Sequence, residues 1–336
     1  MTDSPTMQAW VCEAFGPIDQ LVFRDDVPVP DPGPGQVRVA VEAASLNFPD
    51  ALIVQGRYQV RPALPFSPGA EVAGVIEAVG PGVDARHAPG TRVIAFCGHG
   101  GFAERVVTPA TQLVPLPASM DMATGASLLL TYGTAIHALD AVGRLRAGET
   151  LLVLGAAGGV GLAAVEIGRA MGARVIAAAS SPQRLALCRQ AGADEVIDYA
   201  AEDLRAATDR LTGGRGVDVV CDPVGGAYAE PALRATAWRG RYLVVGFAAG
   251  DIPKLPLNLA LLRERAILGV FWGEAVRRDP ATHHAQVAQL AAWHAEGRIR
   301  PTITERVPLA GARDAIARMA ARQVVGKVVI EMPGVR

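Results

Sequence analysis

The segment Leu151-Leu-Val-Leu-Gly-Ala-Ala-Gly-Gly-Val-Gly161, followed by an apolar run over 162–171 and the stop Gly172-Ala173, constrains this chain most. It predicts a buried strand, a tight glycine turn and a helix. Backbone N–H groups and a helix N-terminus in this arrangement hold a dinucleotide pyrophosphate. Gly158 lets the main chain approach a phosphate without a Cβ, and Gly161 permits close helix–strand packing. Ala156 stands where the usual fingerprint has its first glycine. Turns of this kind also join ordinary strands and helices, so the segments that follow decide between the two readings.

Those segments repeat the pattern. Residues 174–178 read as a second strand, Ser181-Pro182 as an N-cap with proline at the first helical position, and the helix runs through Gln190 to a stop at Gly192. A third strand is predicted over 195–197, a helix over 201–211, a fourth strand over 217–221 and a helix over 229–238. A fifth strand follows over 241–245 and a sixth over 266–271. Val, Ile and Leu runs without polar alternation suit strands covered on both faces, so the sheet is predicted to be parallel and doubly wound.

Which dinucleotide fits is decided at the end of the second strand. An NAD-preferring site places Asp or Glu about 20 residues after the turn, where it binds the ribose hydroxyls. Here Ala179 occupies that place, followed by Ser180, Ser181 and Arg184. No carboxylate repels a 2′-phosphate there, while the guanidinium offers charge and a fork of donors, so NADPH is expected over NADH. Arg184 also reads as a solvated residue in a first helical turn. In that position its charge opposes the helix dipole, which points to another use.

The rest of the composition fits a soluble enzyme. With 336 residues, half of them hydrophobic, and a formal net charge of −1, the chain is long enough for two domains. It has no basic excess to recruit nucleic acid or a membrane surface. No signal peptide or membrane span is expected, since four glycines interrupt the apolar stretch over 151–165. Cys12, Cys97, Cys188 and Cys221 are widely spaced, which fits reduced thiols in the cytoplasm better than a disulfide framework.

The first 130 residues differ in texture. Short strands are predicted over 37–42, 71–79, 90–96 and 101–107, punctuated by Pro and Gly, and a helical stretch over 122–142 leads into the nucleotide domain. Helical patterns over 283–296 and 310–322 and a terminal strand over 326–331 close the chain.

The β-rich start, Pro68-Gly-Ala-Glu-Val-Ala-Gly74, the Ala-Ala-Gly-Gly-Val-Gly turn, Gly213-Gly-Arg-Gly-Val-Asp-Val-Val220 and Gly326-Lys-Val-Val-Ile330 together resemble the medium-chain dehydrogenase/reductase superfamily. Within it the chain is most similar to the zinc-free NADPH:quinone oxidoreductase, or zeta-crystallin-like, branch. That resemblance implies an α/β architecture: a GroES-like catalytic domain from residues 1–130 and 274–336, and an NADP-binding Rossmann domain over 131–273.

The resemblance also bears on metal. The alcohol dehydrogenase branch holds catalytic zinc with cysteine, histidine and a further ligand, and the matching places here are Asn47 and Gly69-Ala70-Glu71, which lack that cysteine and histidine. Cys97-Gly-His99 has no visible partners, so no metal is expected. Hydride transfer must then work by positioning against an electron-poor, hydrophobic acceptor such as a quinone or conjugated enone.

The resemblance places Asn47, Asp50, Tyr58 and Thr131 on the nicotinamide side, with Asn47 bonding cofactor or acceptor and Tyr58 donating a proton. Asn47 and Asp50 also read as turn residues before a helix, and Tyr58 as a packing aromatic. Gly158, Gly159 and Val160 should meet the pyrophosphate. Ser180, Ser181, Arg184 and Tyr199 should meet the adenosine 2′-phosphate end, and Thr134, Phe247, Phe271, Trp272 and Gly273 the nicotinamide half. Arg322 is expected to close over the cofactor. Phe48, Leu52, Leu64, Phe66, Tyr132 and Trp272 are expected to make the pocket apolar. Leu52 stands where several quinone reductases carry tyrosine, so acceptor preference does not carry across.

His137, in an apolar helical segment, reads as a core residue, and no nucleophile–His–Asp order is evident. Two other functions stay open: reduction of 2-enals, enones or enoyl thioesters on the same fold, and a non-catalytic NADPH-binding role. The apolar sixth strand is expected to be a sheet edge that pairs with its copy in a homodimer.

Overall fold

A computed structural model describes residues 5–333 and divides into two units. The first contains the described residues up to Leu130 and those from Ile303 onward; the second is Thr131–Thr302.

The strands of the first unit are β1 (Thr6–Val11), β2 (Val22–Pro28), β3 (Gln36–Ser45), β4 (Glu71–Val79), β5 (Arg92–Phe96), β6 (Arg105–Pro109) and β7 (Leu113–Pro115). After the second unit come β14 (Ile303–Pro308) and β15 (Lys327–Glu331). β1 and β2 form an antiparallel pair, and the remaining strands form a seven-stranded sheet in the order β14-β15-β3-β4-β5-β7, with β6 on β3. β3 shows how the sequence sets this sheet. Val37, Val39 and Val41 face the core while Arg38, Ala40 and Glu42 alternate outward, until Ala43, Ala44 and Ser45 are buried in succession. The end of β3 is thus covered on both faces and carries a hydroxyl inside.

The second unit contains β8 (Thr150–Val153), β9 (Arg174–Ala179), β10 (Glu195–Asp198), β11 (Val217–Asp222), β12 (Thr236–Val244) and β13 (Ala266–Gly269). All are parallel, in the order β10-β9-β8-β11-β12-β13. This is the order of the two-halved dinucleotide-binding sheet, whose ligand crevice lies outside the carboxyl ends of the strands where the order reverses. β8 is wholly buried, as a strand between two helical layers must be. Among the described residues no helix is long and apolar enough to cross a membrane.

Several expectations need correction. Residues 274–302 pack with the second unit, not the first. Leu290 and Trp293 bury the apolar face of helix Pro280–Ala295, Gln286 Nε2 donates to Asp140 Oδ2 at 3.3 Å, and the Arg300 N–H donates to Glu166 Oε2 at 2.9 Å. The helix expected over 229–238 stops at Arg234, because β12 starts at Thr236 and bends through Arg239, whose φ is +57°. The stretch over 122–142 is broken into helices Met122–Ala126 and Leu129–Ile136 and a π-helical turn, His137–Val142. β13 ends at Gly269, and Trp272–Arg278 is a helix that the sequence reading missed.

Tyr132 is a buried residue of the second unit. It is 1% exposed, and its hydroxyl donates to Glu166 Oε2 at 2.7 Å. Burial pushes the Glu166 carboxyl up to about 7, against the opposing hydrogen bonds from Tyr132 and Arg300. A folded pKa raised above the unfolded 4.5 means stability that is present below pH 4.5 and lost as pH rises to about 7. Glu166→Gln keeps an oxygen acceptor for both donors and removes the titration. Thermal unfolding of this variant is expected to flatten across that window and, above it, to gain up to about 3 kcal/mol over the parent. A slope equal to the parent's would place the titration elsewhere.

Candidate functional site

In the first unit, three neighbouring strand ends bring charged side chains into the core. Ser45, the last residue of β3, pairs with Val329 of β15 on one side and with Glu71, the first residue of β4, on the other. Asn47 follows β3 and caps helix Phe48–Val54, with Pro49 in the first turn. Asp50 Oδ2 accepts the Asn47 N–H at 2.7 Å, the backward half of a capping box. Lys327, the first residue of β15, donates from Nζ to Asn47 Oδ1 at 2.8 Å and to the Leu46 carbonyl at 3.3 Å. The Asn47 Nδ2 donates to the Ser45 carbonyl at 3.1 Å and to Ser45 Oγ at 3.2 Å. Glu71 Oε2 accepts the Leu130 N–H at 2.6 Å. Asn47, Asp50, Glu71 and Lys327 are all buried.

Two acids and one amine therefore share a desolvated cluster. Burial pushes Asp50 up to about 7, with the Asn47 N–H and the Lys327 charge pulling the other way. Burial likewise raises Glu71 and lowers Lys327, each countered by the other's charge. Asp50 Oδ1 and Glu71 Oε1 make no close hydrogen bond among the described residues, although the Gly69 and Ala70 N–H groups favour the Asp50 anion and the Ser45 hydroxyl favours that of Glu71. Tyr58 packs half-buried against the same core, its phenol raised by burial and by the Asp50 charge.

This donor set does not fit zinc. Where the resemblance sets one metal ligand stands the Asn47 amide, its oxygen turned to the Lys327 ammonium, and Cys97 is a thiol pushed up to about 12 by burial. Among the described residues no group of three or more His, Cys, Asp or Glu side chains is placed to hold a metal ion. Sequence reasoning singled out Asn47, Asp50 and Tyr58 and missed Glu71 and Lys327. Their signal is a charge set inside an apolar run, in Ala70-Glu71-Val72-Ala73 and Gly326-Lys-Val-Val-Ile330.

In the second unit, Gly158 is the N-cap of helix Gly159–Ala170, so the N–H groups of Gly159, Val160 and Gly161 open a first turn without helical acceptors. A Cβ on Gly158 would meet only the Gly155 carbonyl oxygen, at 3.3 Å, leaving that side of the turn open. At the next strand end, Ser180 is exposed and Ser181 caps helix Pro182–Gln190, its Oγ accepting the Arg184 N–H at 3.4 Å. The Arg184 charge reaches Tyr199, whose ring lies 4.2 Å from that of Tyr228, an aromatic the sequence reading did not pick out.

Phe247 and Phe271 are exposed large apolar residues, while Trp272 is buried at the head of its helix and packs on Gly133, where a Cβ would come within 2.9 Å of the indole. Gly273 and Thr134 are half-buried. Thr131 is buried at the start of this unit. Arg322, in the first unit, is exposed with φ at +59°.

Residues 33–118 match the family model described as alcohol dehydrogenase GroES-like domain, and residues 159–292 the model described as zinc-binding dehydrogenase. The quinone oxidoreductase-like protein 2 homolog of Nematostella vectensis is 36% identical over 332 residues, 98% of this chain and 90% of that protein. The quinone oxidoreductase of Pseudomonas aeruginosa is 37% identical over 320 residues, covering 94% and 97% of the two chains. A mycobacterial protein solved in complex with NADPH superposes with a TM-score of 0.90 at 32% identity, over 97% of this chain and 99% of that one.

Proposed function

As a chain that belongs to the quinone oxidoreductase family of the medium-chain dehydrogenases/reductases, we propose, it reduces a quinone or other activated conjugated carbonyl with NADPH and without metal. The observation that carries this reading is the nucleotide cradle of the second unit. Gly158 heads a helix at the carboxyl end of β8, and the next strand ends on Ala179, Ser180 and Ser181 with Arg184 one turn on, where an NAD site would have a carboxylate. The NADPH complex of the mycobacterial relative supports the same cofactor.

When bound, NADPH would supply the hydride. Gly158, Gly159 and Val160 hold the pyrophosphate, and Ser180, Ser181, Arg184 and Tyr199 the 2′-phosphate end. Thr134, Phe247, Phe271, Trp272 and Gly273 position the nicotinamide half, and Arg322 covers the cofactor. Thr131 and Asn47 orient the reacting groups, and Tyr58, beside Asp50, holds the proton for the acceptor oxygen. With no Lewis acid, a quinone or enone suits the site, because its low-lying acceptor orbital needs less polarisation than a simple ketone.

The test is an NADPH-oxidation screen across quinones, 2-enals, enones and enoyl-CoA esters, run before and after exhaustive chelation. Quinones are expected to give the highest kcat/KM, unchanged by the chelator, and Tyr58→Phe is expected to lower kcat with NADPH affinity retained. Higher kcat/KM on an enoyl ester would replace the quinone assignment. NADPH binding with no turnover would make the chain a cofactor-binding protein, and activity restored by zinc would overturn the metal-free reading.

The assembly proposed is a homodimer. β13 is the open edge of the six-stranded sheet, and Leu257, Leu261 and Leu262 are exposed just ahead of it. Sedimentation is expected to give twice the 35.0 kDa chain mass; a single-chain mass would refute the assignment.

A further inference from the structure

Lys327 is a lysine that nothing in its surroundings requires for packing. It lies within a strand whose other core residues are Val328, Val329 and Ile330, and methionine would fill a similar volume at no cost in desolvation. Instead its Nζ reaches Asn47 Oδ1 and the Leu46 carbonyl, while Asn47 Nδ2 reaches both oxygens of Ser45. The Asn47 amide is therefore held from both ends. A flipped amide would set N–H against the ammonium and oxygen against the Ser45 carbonyl, losing both contacts. The same lysine lends its charge to Asp50 and Glu71, both buried carboxyls that otherwise face only neutral donors: the Asn47, Gly69 and Ala70 N–H groups at Asp50, and the Leu130 N–H and the Ser45 hydroxyl at Glu71. A cation in this core thus touches the helix N-terminus that carries Asp50.

We propose that Lys327 is a positioning residue of the reduction, the internal cation that fixes the Asn47 amide at the head of helix Phe48–Val54 and offsets the buried carboxyls of Asp50 and Glu71. It bonds Asn47, one of the two places where the resemblance sets a metal ligand. The role rests on the reductase reading of the chain, and its test separates the two.

The Lys327→Met/Glu71→Gln pair removes one charge of each sign, so the core stays balanced. Its thermal unfolding, NADPH affinity and kcat on the best acceptor are measured beside those of Asn47→Ala and the triple variant. The pair is expected to melt close to the parent and to bind NADPH within about twofold, while kcat falls by about tenfold or more, as slight misplacement of a reacting group does. Asn47→Ala is expected to lower kcat by a similar factor, and the triple variant no further, because the two act as one unit.

A pair with parental kcat, a kcat loss that tracks the folded fraction, or losses that multiply in the triple variant would each overturn the role of Lys327 alone. If the pair does not fold, Lys327→Gln, which keeps an N–H donor without charge, carries the same comparison. A parent protein that turns over no acceptor would overturn the reductase reading and the positioning role with it.

Discussion

Gly161→Ala is expected to lower the melting temperature by roughly 6–12 °C and to abolish NADPH binding at ordinary assay temperatures. A Cβ at Gly161 would stand 2.3 Å from the Gly155 carbonyl oxygen and 2.6 Å from the Ala156 Cα. Both atoms belong to the backbone of the turn, so no side-chain rotation relieves the overlap. The helix must instead move away from β8, whose residues are buried against it. Overpacking costs about 1–3 kcal/mol, and contact with backbone atoms that cannot rotate away puts this case at about 3 kcal/mol. Gly158→Ala is the informative contrast, since its Cβ meets only the Gly155 oxygen, at 3.3 Å. It is expected to melt within about 2 °C of the parent and to bind NADPH about tenfold more weakly, because the new methyl would stand where the pyrophosphate approaches. Differential scanning calorimetry with titration calorimetry checks both. Equal loss of stability in the two variants would show that the glycines share one structural job.

The packing job of Gly161 was readable in the sequence, because a glycine turn between two apolar runs joins a strand and a helix in contact. The core of β8, β9 and β11 was legible for the same reason: each centres on a short run rich in Val, Ile, Leu and Ala. Legibility failed where local pattern and tertiary demand part. Helix Ala229–Arg234 ends early because Thr236 joins β12, and its carbonyl accepts from the buried Arg265, a contact 29 residues away. Residues 274–302 were misassigned because an amphipathic helix states that it has an apolar face without stating what covers it. The acceptors that tie this segment to the second unit, Asp140 and Glu166, lie 146 and 134 residues from the groups that bind them.

The same limit governs the charged cluster. Asn47 and Asp50 carried a local signature, a cap and an acid three residues apart, whereas Lys327 lies 280 residues from the amide it holds. Only the antiparallel register of β15 on β3, and of β3 on β4, brings Lys327, Ser45 and Glu71 to one end of the sheet. A charge inside a valine run marks each residue as unusual, but two such anomalies become a site only once the register is known. The Tyr199–Tyr228 stack follows the same logic, joining the end of β10 to the turn after β11.

Arg184→Ala is expected to raise KM for NADPH by about 10- to 100-fold while leaving kcat and the NADH parameters nearly unchanged. The reasoning starts from charge. A phosphate bound by a forked guanidinium gains charge-assisted hydrogen bonds worth about 1.5–3 kcal/mol, and each 1.4 kcal/mol is about tenfold in affinity. Arg184 is half-buried on the first turn of helix Pro182–Gln190, its N–H tied to Ser181 Oγ, so its stem starts from a fixed point beside the two serines. NADH has no 2′-phosphate to lose, and Ala179 offers its ribose no carboxylate, so removing the arginine neither helps nor harms it. Arg189→Ala, on the last turn of the same helix and exposed, is the control for net charge and is expected to change neither KM. Initial rates with both coenzymes across the three proteins decide the matter. A parallel rise in KM for NADPH and NADH in Arg184→Ala would mean that the residue shapes the helix and not the phosphate site, and the coenzyme preference would then have to come from Ser180 and Ser181 alone.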